Sequence, residues 1–295
     1  MLIKKLKLIY NDGAGNRGFK NDLDSVLKTF TTAGYDINIL RTENPRDIAK
    51  HLKKDDAKLY DTIVSAGGDG TLNLVVSAMI DNNIKAKLGI LPAGTANDFA
   101  RFLRIEKPHT DAAEIITKGK TKKIDIGTVN DKYFVNVFGS GLLTNISNYV
   151  DPAVKNTLGN MAYYLKGIEK WGSISPVPIT IRNSSSVIEE EIFFLLALNS
   201  SGAGGFDRII DTADPSDGYF DVIAVKSGKI PDIMGLLLKF LRHEHINDDR
   251  VIYFRDNYTE IYGPKDFETN IDGEAGIQLP AKLGILPQAI EVFVP

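Results

Sequence analysis

The sequence contains no cysteine in 295 residues and only one tryptophan. The missing thiols exclude disulfides, thiolate zinc sites and cysteine nucleophiles, and they suit a reducing compartment. Long apolar runs are missing too. No stretch approaches the roughly 20 residues needed to cross a bilayer, which predicts a soluble protein or one resting on a membrane face. The opening Met1-Leu2-Ile3-Lys4-Lys5-Leu6-Lys7-Leu8-Ile9-Tyr10 breaks its short apolar run with lysine and reads as a first strand, not a signal peptide. Charge is also not strongly of one sign. Against 35 Lys and Arg stand 38 Asp and Glu, a net charge of -3, so nothing draws the whole chain to nucleic acid. Lys118, Lys120, Lys122 and Lys123 cluster locally and read as solvated surface. Four histidines (His51, His109, His243, His245) show no metal or triad spacing, and the pair flanking Glu244 reads as surface.

What is present is a globular balance, 43% hydrophobic and 25% charged, in a chain long enough for two domains. Up to about Lys118 strands and helices alternate. Strands are expected at 6–10, 35–40, 59–64 and 88–91. Leu72, Val75, Val76 and Met79 form the stripe of a helix packed on a sheet. This rhythm predicts an α/β domain with a parallel sheet. From about Lys123 the segments become short, β-rich and separated by turns (133–138, 179–181, 192–198, 219–225, 251–254, 258–262, 267–271), the pattern of an antiparallel β-sandwich. Helical insertions are expected near 160–170 and 230–241. The change of period places one domain at 1–124 and the second at 125–285, with 286–295 able to complete the first.

The most informative motif is Val64-Ser65-Ala66-Gly67-Gly68-Asp69-Gly70-Thr71-Leu72-Asn73. Its glycines let bare backbone amides approach an anion at the start of a helix, with Thr71 as a capping hydroxyl. Asp69 is the anomaly, because a carboxylate repels phosphate unless a metal ion or a hydroxyl proton lies between them. Metal-assisted phosphoryl transfer is the reading that accommodates it. A second strand-turn-helix, Leu91-Pro92-Ala93-Gly94-Thr95-Ala96-Asn97-Asp98-Phe99-Ala100-Arg101, offers Thr95 as a helix cap with Asp98 as its reciprocal carboxylate. Two such turns at the carboxyl ends of successive strands would face each other across one crevice. The earlier turn Asn11-Asp12-Gly13-Ala14-Gly15-Asn16 lacks the dinucleotide fingerprint and a lysine-serine ending, which disfavours a dehydrogenase.

Further along, Asp125 sits between isoleucines at the domain junction. Asp214-Pro215-Ser216-Asp217-Gly218-Tyr219 is an acidic turn compatible with a hard cation or with plain surface. Asn270-Ile271-Asp272-Gly273-Glu274 puts two carboxylates two positions apart at a strand end. There they could meet one substrate hydroxyl, or simply make a hairpin turn. The 230–241 segment is apolar around most of a helix and fits either an interfacial helix or a buried one.

Taken in order, these motifs resemble those of soluble bacterial diacylglycerol kinases and related lipid kinases from end to end. The Gly-Gly-Asp-Gly element alone would also fit NAD kinases or phosphofructokinase-like enzymes. The resemblance implies an ATP-dependent and Mg²⁺-dependent kinase making phosphatidic acid from diacylglycerol, with its active site in an interdomain cleft. It implies ATP contacts from Asn11, Asp12, Gly13, Ala14, Gly15, Thr42, Gly67, Gly68, Asp69, Gly70, Thr71, Leu72, Asn73, Leu74 and Thr95. Asp69, Asp98 and Asp125 would be linked to Mg²⁺ through water. Asp272 or Glu274 would deprotonate the lipid hydroxyl, and Asp214, Asp217 and the Tyr219 carbonyl would hold a structural Mg²⁺. Asp12 departs from the family, which more often has proline there.

A cytoplasmic enzyme is expected, peripheral at the inner membrane face, with transient surface contact, no nucleic-acid partner and a homodimer as an option. The alternatives are a kinase for phosphatidylglycerol or a sphingoid base, an NAD kinase-like phosphotransferase, and a non-catalytic nucleotide-binding regulator. Asp69→Ala and Asp272→Ala are each expected to abolish turnover with the fold intact.

Overall fold

The first apolar runs fold as parallel strands. The computed structural model describes residues 4–11, 19–42, 47–53, 59–105, 108–141, 175–206, 208–229, 235–236, 239–240 and 242–295. By internal contacts the chain divides into two units: Met1–Ile126 with Pro215–Gly218 and Leu286–Pro295, and Gly127–Asp214 with Tyr219–Ile285.

In the first unit the order is β1 (Lys4–Asn11), α1 (Phe19–Thr32), β2 (Tyr35–Thr42), α2 (Ile48–Leu52), β3 (Thr62–Gly67), α3 (Asp69–Asp81), β4 (Lys87–Pro92), α4 (Asp98–Phe102) and α5 (His109–Lys118). The sheet runs β2-β1-β3-β4, all parallel. β3 is buried along its whole length, as a strand covered on both faces must be. Val75, Val76 and Met79 of α3 are buried, as their spacing predicts. β3 begins at Thr62, where pairing to Leu6 and Lys87 starts, so the expected 59–64 strand shifts toward the glycines. Leu59 is left 63% exposed. α5, not foreseen, buries Ala112, Ala113 and Ile116 and stops at Gly119, whose φ of +80° suits a left-handed cap.

β5 (Thr121–Val129) begins in the first unit and ends in the second. There follow β6 (Lys132–Phe134), β7 (Val137–Gly141), β8 (Val177–Asn183), β9 (Val187–Leu198), β10 (Phe220–Lys226), β11 (Val251–Asp256), β12 (Tyr258–Tyr262), β13 (Thr269–Ile271), β14 (Glu274–Ala275) and β15 (Ala281–Phe293). Within the second unit the pairings are antiparallel: β8 pairs the first half of β9 and β7 its second half, β10 pairs β9 and β11, and β13 pairs β7 and β14. The inward faces bury Phe134, Phe138, Ile181, Leu195, Phe220 and Leu283, a β-sandwich core. The end of β15 returns to the first unit, where Val292 pairs parallel with Leu88 of β4. The expected insertion at 160–170 lies outside the described residues.

Candidate active site

Parallel register brings the motifs to one edge of the first sheet. Asn11 pairs with Thr42, and Gly67 with Pro92, so the carboxyl ends of all four strands finish level. The chain adds β2 on one side of β1 and β3 on the other, and such a reversal is where open α/β sheets bind ligands. Asn11, Thr42, residues 67–73 and Thr95 all follow from this edge. Asp12, Gly13, Ala14 and Gly15 lie outside the described residues.

Gly68 is the N-cap of α3, with φ −90° and ψ −173°. Having no side chain, it supplies no cap of its own to the first-turn amides. Thr71 therefore is not the cap its position predicted. It lies inside the helix, buried, and its Oγ1 accepts a long bond of 3.5 Å from Asn11 Nδ2. The glycines are sterically required: a Cβ at Gly67 would stand 2.6 Å from Thr71, and one at Gly94 2.3 Å from the Gly68 Cα. Leu72 is buried and Leu74 half-buried, while Asn73 Oδ1 accepts a bond from Ser77.

The second turn is also built differently from expectation. α4 starts at Asp98 behind Asn97, a left-handed residue with φ +52°, so Thr95 does not cap it and Asp98 is not a reciprocal carboxylate. Asn97 instead closes the turn itself, accepting from the Gly94 amide and donating to the Gly94 carbonyl, each at 2.9 Å. Thr95 is exposed, and Asp98 pairs with Arg101. Asp69 reaches across to accept the Phe99 amide at 3.4 Å, joining the two turns through the start of α4.

Asp125 is 1% exposed and acts as an amide anchor. Its two oxygens accept from Gly218 N and Gln288 N, each at 2.7 Å, and its own amide donates to the Pro215 carbonyl. It thus shapes the 215–218 turn that carries Asp217. Asp214 is half-buried, while Asp217 and Tyr219 are exposed, with Arg255 5.3 Å above the Tyr219 ring. Among the described residues no three acidic or histidine groups converge as a ready-made metal cage. The donor set is nevertheless aspartate and carbonyl oxygen, which suits Mg²⁺, an ion that keeps several waters and needs few protein ligands.

The two carboxylates of the 272–274 turn differ sharply. Asp272, at φ +48° and 5% exposed, accepts three backbone amides: Val135 at 2.6 Å, Asn136 at 2.9 Å and Val137 at 2.8 Å. This explains why the expected 133–138 strand breaks at Val135 and Asn136, whose amides turn to Asp272. Glu274 is exposed on the far side of Gly273. The expectation that Asp272→Ala leaves the fold intact does not fit three backbone amides, two of them buried, that would lose their acceptor.

Residues 5–129 match the family model described as diacylglycerol kinase catalytic domain, and residues 136–294 the one described as YegS C-terminal NAD kinase beta sandwich-like domain. The diacylglycerol kinase of Bacillus subtilis (strain 168) is 35% identical over 99% of this chain and 97% of its own length. The chain belongs to the diacylglycerol kinase family. Another diacylglycerol kinase, from Staphylococcus aureus (strain bovine RF122 / ET3-1), is 34% identical over 99% of this chain and 93% of its own. A crystal structure of a diacylglycerol kinase from Bacillus anthracis str. Sterne superposes with a TM-score of 0.82 at 26% identity, covering 100% of this chain and 98% of that one. The chain is therefore a kinase, with the α/β and antiparallel β-sandwich domains of this family.

Other residues of the kinase were missed or misplaced in the sequence. Asn136 is a buried hub in the sandwich: its side chain donates to the Gly202 carbonyl and accepts from Ser200, beside the Asp272 bonds. An asparagine inside an apolar strand was the available signal. His245 is 2% exposed, not surface, and its Nε2 bonds the Ile209 carbonyl at 2.9 Å. Of the 230–241 segment, Leu236 is buried against Phe193 and Val225, and Phe240 stacks edge-on with Phe206 at 5.0 Å. These two residues pack inward, and the rest of the apolar face lies outside the described residues. No helix among the described residues is long and apolar enough to cross a membrane.

Proposed function

We propose that this kinase transfers the γ-phosphoryl group of ATP to the free hydroxyl of diacylglycerol, giving phosphatidic acid. The observation that carries the reading is the level sheet edge at which Asn11, Thr42, the 67–71 turn and the 94–97 turn converge. Amides at the start of α3, behind a glycine N-cap that has no side chain to cover them and without Cβ atoms in the way at Gly67, Gly68 and Gly94, face the edge where phosphate oxygens would bind. Thr95 and Asn11 supply further polar groups at the same edge. When bound, Mg²⁺ supplies positive charge against the phosphate oxygens and lowers the electrostatic cost of Asp69 beside them. Asp69 and Asp98 would hold it through water, while Asp125 anchors the 215–218 turn. The acidic turn of Asp214, Asp217 and the Tyr219 carbonyl is the place for a structural Mg²⁺.

On the acceptor side the two carboxylates divide the work. Glu274, exposed beyond the turn, orients the lipid hydroxyl and takes its proton. Asp272, occupied by three amides, holds the turn that presents Glu274. The test is phosphoryl transfer from labelled ATP to diacylglycerol, phosphatidylglycerol, sphingosine and NAD, resolved by thin-layer chromatography. Phosphatidic acid from the wild type and none from Asp69→Ala supports the reading. Preferred labelling of another acceptor would overturn the choice of lipid.

A further inference from the structure

We infer that His109 and Asp22 form a positioning pair that sets the two phosphate turns against each other, a role that rests on reading those turns as the nucleotide site. His109, the first residue of α5, is 2% exposed. Its Nδ1 lies 2.6 Å from Asp22 Oδ2 in the first turn of α1, and its Nε2 3.1 Å from the Pro92 carbonyl at the end of β4. The Pro92 carbonyl can only accept, so the ring donates to it from Nε2 while Nδ1 bonds the Asp22 carboxyl.

What the ring holds is one peptide plane. The Pro92 carbonyl that accepts from His109 belongs to the same peptide as the Ala93 amide, and that amide donates to the Gly67 carbonyl at 2.9 Å. Fixing the carbonyl end fixes the amide end. The Gly67 turn is thereby tied to the Gly94 turn at the point where Gly68 and Gly94 touch. On its other side the ring meets Phe19, edge-on at 5.1 Å, and Phe19 meets Tyr10 at 5.8 Å. Tyr10 precedes Asn11, and Phe19 opens α1, so this single side chain braces three of the strand ends that carry the phosphate-binding edge. It touches no substrate itself and acts through backbone.

The test uses the full chain with His109→Phe, which keeps ring volume and the Phe19 contact while removing both hydrogen bonds, and Asp22→Asn at a side chain 45% exposed. The expected result is a KM for ATP raised about tenfold in His109→Phe. The kcat at saturating ATP and the KM for diacylglycerol should be essentially unchanged. Asp22→Asn should shift the ATP KM the same way by less, and the double variant should be no worse than His109→Phe. Hydrogen exchange at the Ala93 amide should quicken in both variants, with His109→Gln restoring part of the protection.

Wild-type ATP KM and Ala93 protection in the variants would overturn the proposal. A parallel loss in kcat and both KM values together with a lowered Tm would also overturn it, since that is general destabilisation. If His109→Phe does not fold, Asp22→Asn decides by the same measurements. A wild type that transfers no phosphoryl group would overturn the functional reading alone, and Ala93 exchange would still decide the bridge.

Discussion

Gly94 lies against Gly68 so closely that a Cβ at residue 94 would stand 2.3 Å from the Gly68 Cα. Because the obstacle is backbone, one of the two turns must move to admit a methyl group. Gly94→Ala should therefore cost about 1–3 kcal/mol of stability, as overpacking does. It should also weaken ATP binding by more than about tenfold through displaced amides. Calorimetric titration beside a denaturant melt checks both. Unchanged ATP affinity in a folded variant would show that the spacing of the turns does not matter for nucleotide.

The carboxylates at 272 and 274 should fail in different ways. Asp272→Ala strands three backbone amides, two of them buried, and should destabilise the protein by about 3 kcal/mol or more, with turnover lost as a consequence. Glu274→Gln, at an exposed position, should keep the melting curve and reduce kcat by about a hundredfold or more. A Glu274→Gln enzyme near wild-type kcat would remove the base from that residue.

The alternation of strand and helix, the sandwich and the glycine turns were legible because period and glycine spacing are local properties. Who caps what was not. Thr95 and Thr71 stand where a cap belongs by sequence, yet Gly68, pressed against Gly94, and left-handed Asn97, whose side chain is spent on the Gly94 backbone, occupy the caps. The break between β6 and β7 was invisible for the same reason. Its cause, Asp272, lies more than a hundred residues away. Asp125 and the 215–218 turn read as separate acidic features until long-range pairing joined them.

His245 makes the folded state sensitive to acid. Burial holds its pKa below the ordinary 6.5, with the Ile209 carbonyl opposing and His243 adding to the effect, and Asp211 opposing. Its Nδ1 is buried without a hydrogen-bond partner, so a proton there would have nothing to meet. The unfolded chain takes up that proton first as pH falls, so stability drops from about pH 6.5 downward and levels off below the folded pKa. Denaturant melts between about pH 7 and 5 should show a steeper loss for wild type than for His245→Gln, which can still donate to Ile209. Parallel pH dependences would clear His245 of this role.

Asp69 combines two duties that substitution can separate. Its oxygen accepts the Phe99 amide, and its charge stands at the start of α3, where phosphate is proposed to sit. Asp69→Asn keeps an acceptor for Phe99 and removes the charge, whereas Asp69→Ala removes both and should lose about 1 kcal/mol more stability, the usual value of a helix cap. With the cation chelated, the wild-type carboxylate repels triphosphate at short range, so ATP should bind more tightly to Asp69→Asn than to wild type. With Mg²⁺ present the order should reverse, and only the wild type should turn over. Calorimetric titration of ATP in chelator and in Mg²⁺ measures all four affinities. Equal wild-type affinity in the two buffers would mean that the carboxylate is not opposed to the phosphates, and the reading of the 67–73 turn as a metal-dependent phosphate site would fall with it.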